Sequence, residues 1–207
     1  MYAPKCNCIK SFISPMKGVF DMINRTKLET ACKLILEGIG ADLNREGLIE
    51  TPKRFAKFME ERLCNETVTN EQIAQKYNKT FSYDGQDIVV LKDIDVFSFC
   101  EHHIALMYNM KVAVGYIPHG KVIGISKIAR IADEVTKRLQ LQEKIGNDIY
   151  ECLKMILNTD DIIVYITGEH SCMTARGIKK TGVKTETMSA HGVFEQTNKK
   201  QEFLAMI

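Results

Sequence analysis

At 207 residues, with 45% hydrophobic and 26% charged side chains, the chain has the composition of a globular protein long enough to bury one core with a small appendage, which excludes disordered and fibrous classes. Its 28 basic residues stand against 26 acidic ones, so there is no general polyanion footprint, and any phosphate contact must come from local placement of Lys and Arg. Seven cysteines without disulfide spacing, no secretory leader and no apolar run near the roughly 20 residues of a spanning helix point to a cytoplasmic chain without nucleic-acid or membrane partners.

Leu28, Ala31, Leu34 and Ile35 recur at helical spacing within residues 27–37, followed by Gly38 and Gly40 as stop signals, and predict an amphipathic helix. Thr51 as an N-cap with Pro52 in the first turn predicts a second helix to about residue 63, and 71–77 a short third one. From residue 87 the texture becomes β-branched and aromatic, predicting two antiparallel strands that flank Cys100-Glu101-His102-His103. Ser126 can cap a helix through Ile128, Ile131, Ala132 and Val135, and 142–157 carries Ile145, Ile149, Leu153 and Ile156 on one face. Strands return at 162–168 and 184–196. The order predicts an α+β domain with helices on one face of an antiparallel sheet.

Chemistry concentrates in two short segments, Cys100-Glu101-His102-His103 and His170-Ser171-Cys172, which hold two thiols and three of the five histidines. Cys100 and His103 are three apart, so a turn can aim both at one ion, provided the strand ends at Cys100. His170 and Cys172 are two apart and share a face if extended. Three protein ligands keep a position of zinc open for water, as in catalytic sites, and leave His102 and His170 free to move protons; a structural zinc with a fourth ligand is the rival.

Elsewhere the signals are weaker. Lys127 and Arg130 share a face at a helix N-terminus that suits phosphate, but Arg130 with Glu134 and Asp133 with Lys137 fit a solvated surface equally well. Arg176 follows Cys172 by four residues and could bring a guanidinium to the same ion. Glu143, beside Gln142, could accept from the N1–H and N2–H donors of a guanine edge, although a glutamate in a first helical turn is favourable in itself. Cys32 and Cys152 read as core, His119 as a solvated turn residue in Pro118-His119-Gly120, and His191 as structural within the last strand. Cys6, Cys8 and Cys64 support no assignment.

Taken in order, the motifs Asn44-Arg45-Glu46-Gly47-Leu48, Thr51-Pro52-Lys53-Arg54, Cys100-Glu101-His102-His103, Gly124-Ile125-Ser126-Lys127-Ile128-Ala129-Arg130, Arg138-Leu139-Gln140-Leu141-Gln142-Glu143, His170-Ser171-Cys172-Met173 and Glu202-Phe203-Leu204 resemble GTP cyclohydrolase I over residues 27–207. The resemblance implies the tunnelling fold (T-fold), divided as an extension over 1–26, a helical region over 27–80 and a catalytic domain over 81–207. It implies decamers of two stacked pentamers with active sites between subunits. The reaction would convert GTP and water to 7,8-dihydroneopterin triphosphate and formate, the entry to folate and other pterins.

By the same resemblance Cys100, His103 and Cys172 hold Zn2+, while His102 and His170 carry protons. Gln142 and Glu143 meet the guanine, and Ser126, Lys127, Arg130 and Arg176 the triphosphate, with Arg54 and Lys57 as further contacts. Opening the imidazole ring at C8 needs a nucleophile near neutral pH, which zinc supplies by lowering the pKa of water to about 7, and a proton delivered to a ring nitrogen, for which histidine titrates in the right range. One departure concerns the stretch after His103, Ile104-Ala105-Leu106-Met107-Tyr108-Asn109-Met110, which lacks the family's proline and glycine and is expected to be one residue longer. A second is the extra polar bulk of the late strand around Thr185 to Gly192.

Overall fold

The computed structural model describes residues 23–207, so Cys6, Cys8 and most of the 1–26 extension lie outside it. The described residues divide into two compact units, one ending at Thr67 and one spanning Val68–Ile207. In the first, α1 (Arg25–Gly38) starts at Asn24, whose side chain accepts from Lys27 N, and pairs with α2 (Thr51–Arg62) through contacts that include an Arg25–Glu60 ion pair. The expected apolar face of α1 is not its buried one: Cys32 is buried, while Leu34 and Ile35 are 62% and 56% exposed. Two helices cover each other on one side only. Thr51 is the first residue of α2 rather than its cap, with its hydroxyl donating back to Gly47 O at 3.3 Å.

The second unit is built on a five-stranded sheet in the order β5-β2-β3-β6-β7. Its strands are β2 (Val89–Cys100), β3 (Ala105–Tyr116), β5 (Leu139–Gln140), β6 (Ile162–His170) and β7 (Thr185–Ala190). All neighbours are antiparallel except the short β2–β5 pair. A separate ladder joins β1 (Thr80–Ser82) to β4 (Lys121–Ile123), two strands too short to show a period in the sequence. The class is the expected α+β.

Alternation along the strands makes two apolar faces. Val112, Val114, Tyr116, Ile162, Val164 and Ile166 point to a core shared with α3 (Asn70–Tyr77), α4 (Ile125–Val135) and α5 (Gln142–Leu157). The predicted stripe of α5 is there in full, since Ile145, Ile149, Leu153 and Ile156 are all buried, as are Cys32 and Cys152. Helix α3 begins with a capping box between Thr69 and Gln72. Helix α4 is capped by Gly124, not by Ser126, which is its second residue and makes no side-chain cap bond.

The opposite face carries Ala113, Ile117 and Ile163 and is covered by Phe194 and Phe203. Phe203 comes from α7 (Thr197–Leu204), a helix the sequence reading missed, so helices are not confined to one face. The last strand is also shorter than expected. It stops at Ala190 because Gly192 takes φ +57°, where a Cβ would meet Asp161 Oδ1 at 2.2 Å, and the chain turns into a single 3-10 turn, Gly192–Glu195. His191 therefore sits just past the strand, stacked on Tyr150 at 3.5 Å and bonded to Ser189.

The hairpin after His103 carries a bulge. Tyr108 and Asn109 together oppose Phe97 on β2, and Asn109 and Met110 together oppose Gly168 on β6, with Asn109 at φ +49°. Asparagine tolerates that left-handed conformation, so no glycine is required.

Candidate metal centre

Strand β2 ends at Cys100, as the ligand spacing requires, and the chain reverses through residues 101–104 before Ala105 pairs with Cys100. His103 N bonds Cys100 O at 3.4 Å, which folds the two side chains to the same side. Ile104 completes the reversal at φ +49°, a conformation that branched side chains rarely adopt. The parallel contact with β5 steadies this end, since Glu101 N donates to Gln140 O at 3.2 Å.

The second segment arrives through the β3–β6 ladder, which sets Met107 opposite His170. Beyond His170 the chain is not extended, as the two-residue spacing had suggested, but enters a one-turn helix, α6 (Ser171–Thr174). Cys172 is thus carried by a turn. Two cross-links hold that turn to β3: Ser171 Oγ donates to Leu106 O at 2.6 Å, and Tyr108 Oη donates to Thr174 Oγ1 at 3.2 Å. Neither Ser171 nor Tyr108 was singled out from the sequence, because their partners lie more than sixty residues away.

The outcome is a cluster of Cys100, His103 and Cys172, whose donor atoms all lie within 4.8 Å of one another. It is the one group of its kind among the described residues. Donors on a tetrahedral zinc are roughly 3.3–3.8 Å apart at the usual Zn–S and Zn–N lengths, so an ion needs only side-chain adjustment here. Two thiols and an imidazole also form a donor set suited to zinc and poorly suited to calcium or magnesium. Burial pushes the Cys172 thiol up, and the neighbouring Cys100 adds to it, with Arg176 working in the opposite sense. A cation between the two sulfurs reverses that penalty.

Around the trio, His102 Nδ1 lies 3.7 Å from Cys100 Sγ, and Arg176 Nη1 donates to His103 Nε2 at 2.7 Å. His170 is half-buried, which pushes its pKa down, while the Glu143 carboxylate pulls it up. Its Nε2 lies 2.9 Å from Gln142 Oε1.

Gln142 departs from the expectation of a guanine contact. The side chain is 1% exposed, and its amide nitrogen donates to Ile166 O, Thr185 O and Thr187 Oγ1, leaving no donor for a base. Glu143, next in the first turn of α5, is exposed.

Ser126, Lys127 and Arg130 lie in the first two turns of α4 and make no hydrogen bond with the cluster; Lys127 Nζ lies 6.0 Å from the Tyr77 ring. Of the two surface pairings expected on this helix, Asp133–Lys137 forms at 2.6 Å, whereas Glu134 turns to Lys76 and Tyr77. Arg54 and Lys57 belong to α2 in the other unit, where Arg54 donates to Gly47 O and Lys57 pairs with Glu61. His119 is not simply solvated, since its Nε2 meets Asp161 Oδ2 at 2.7 Å.

Residues 28–207 match the family model described as GTP cyclohydrolase I. The chain is 50% identical over 179 residues to a protein named GTP cyclohydrolase 1 from Ruminiclostridium cellulolyticum, covering 84% of this chain and 92% of that one. It is 52% identical over 182 residues to a protein of the same name from Clostridium beijerinckii, covering 85% and 92%. A partial likeness, with TM-score 0.40 and 24% identity over 51% of this chain and 94% of the other, links it to a crystal structure of archaeosine synthase QueF-like in the apo form.

Proposed function

The chain belongs to the GTP cyclohydrolase I family, and from that premise we propose that it opens the imidazole ring of GTP in a zinc-dependent reaction, yielding 7,8-dihydroneopterin triphosphate and formate for pterin and folate synthesis. The observation that carries the zinc reading is the convergence of Cys100, His103 and Cys172 from two segments seventy residues apart. Zinc bound there supplies Lewis acidity and a water acidified to a pKa of about 7.

The protein's own residues do the rest in this reading. His102 and His170 flank the trio and move protons to and from the ring nitrogens, within the range that histidine covers. The exposed Glu143 carboxylate accepts from N1–H and N2–H of the guanine. Ser126, Lys127 and Arg130 on α4, with Arg176 beside His103, neutralise the triphosphate. The family's stacked pentamers, with sites between subunits, and a cytoplasmic location complete the proposal; among the described residues no helix is long and apolar enough to cross a membrane.

The test is formate release from GTP by purified protein, together with a fluorescent pterin after oxidation. Chelation should abolish both signals and zinc should restore them. Full zinc occupancy without turnover would favour a structural metal and sink the reading.

A further inference from the structure

We propose that Gln142 is a positioning residue that fixes the His170 ring in one orientation and in its Nε2–H tautomer, so that the ring lone pair lies on Nδ1. The inference deepens the proposed function, which places His170 at the reacting centre.

The hydrogen-bond directions leave one solution. The carbonyl oxygens of Ile166 and Thr185 can only accept, and both face the amide nitrogen of Gln142, at 3.2 and 2.9 Å. That fixes the amide's orientation and sends Oε1 to His170. An amide oxygen can only accept as well, so His170 Nε2, at 2.9 Å, must carry the hydrogen. A neutral imidazole protonated there has its lone pair on Nδ1.

The arrangement is wedged as well as bonded. A Cβ at Gly168 would lie 3.1 Å from Gln142 Oε1 and 2.9 Å from Met110 Cγ, so the bare backbone there is what lets both side chains approach. Met110 reaches this place through the bulge at Asn109, and it is 1% exposed. The two accepting carbonyls, Ile166 O and Thr185 O, lie on β6 and β7. Gln142 therefore cannot swing aside without breaking contacts on both strands. Loss of the orienting partner frees the imidazole to choose either tautomer and to rotate.

Nitrogen-15 spectra of the full-length, zinc-loaded protein with labelled histidine, at a pH where the ring is neutral, test this directly. With the His170 signals assigned by their loss in His170→Asn, Nε2 should appear as the protonated nitrogen and Nδ1 as the bare one. The opposite assignment, or an even mixture, overturns the proposal whatever any variant does.

In Gln142→Met, kcat should fall about ten- to a hundredfold, the scale of a lost orienting partner, with KM for GTP within about twofold and zinc content unchanged. An unchanged kcat, or a loss confined to KM, overturns it; the latter would return Gln142 to the guanine. Absence of formate release by the wild-type protein would count against the proposed reaction, while the tautomer assignment would still stand or fall on the spectrum.

Discussion

The two ends of the sheet both collect histidines, and they use them differently. At the far end His119 is paired with Asp161, whose other oxygen accepts from Val193 N, and His191 is stacked on Tyr150 and bonded to Ser189. Tyr150 itself donates to Asp160, which also pairs with Lys154. His119 there is tied to the turn that leads into β6, and His191 links α5 to β7. At the near end His103 converges with two thiols, His102 borders one of them, and His170 is held by an amide. A histidine marks a site when it shares its space with other donors, and it marks a fold when its partners are all local closers.

The largest test of that contrast is Cys172→Ala. Zinc per chain should fall toward zero, and formate release should drop by about three orders of magnitude or more, since the metal is credited with several kcal/mol of charge stabilisation. Metal analysis and turnover on the same sample check it, and retained zinc with retained activity would erase the difference between the ends.

The next concerns what holds the near end in place. Asp148, 7% exposed, accepts from Lys144, Gln140, Asn70 and Arg138, and Gln140 is the residue of β5 opposite Cys100. Asp148→Ala leaves Arg138 buried without its carboxylate and should lower stability by about 3 kcal/mol, read from denaturant unfolding at fixed protein concentration. The acid limb follows the same group. Burial pushes its carboxyl up, but the donors from Lys144, Gln140 and Asn70 outweigh this and hold it below the usual range. A depressed carboxylate contributes its stability above the unfolded aspartate value, near about 3.9, and loses it as pH falls through the lower folded value. The wild-type protein should therefore weaken below about pH 4 more steeply than Asp148→Asn, in urea titrations at each pH.

The smallest effect belongs to the far end. His119→Gln breaks a partly exposed pair and should change stability by less than about 1 kcal/mol, with kcat and zinc content unchanged. A loss of turnover there would show the two ends to be coupled.

Much of this was legible from residue order. The α5 stripe and the strand texture around residues 88–117 are periodic signals. The convergence of Cys100, His103 and Cys172 was readable because Cys100 and His103 must share a turn and few other segments offer soft donors. The short strands β1, β4 and β5 were not legible, because two or three residues cannot show alternation. The early end of β7 was hidden because it depends on Gly192 meeting Asp161, thirty-one residues away. The burial of Gln142 was hidden for the same reason, since the space it fills is made by Gly168 and a bulge at Asn109. The face of α1 was misread because periodicity reports which side is apolar, not whether anything covers it.

Ile104 carries a cost that the rest of the hairpin supports. A branched residue held at φ +49° stores on the order of 1–3 kcal/mol, and it stands directly after His103. A search for heat-tolerant variants would reach early for Ile104→Gly, and the melting temperature it gained would be repaid as slack in the ligand, visible as weaker zinc affinity. Robustness and reactivity thus compete for a single peptide unit.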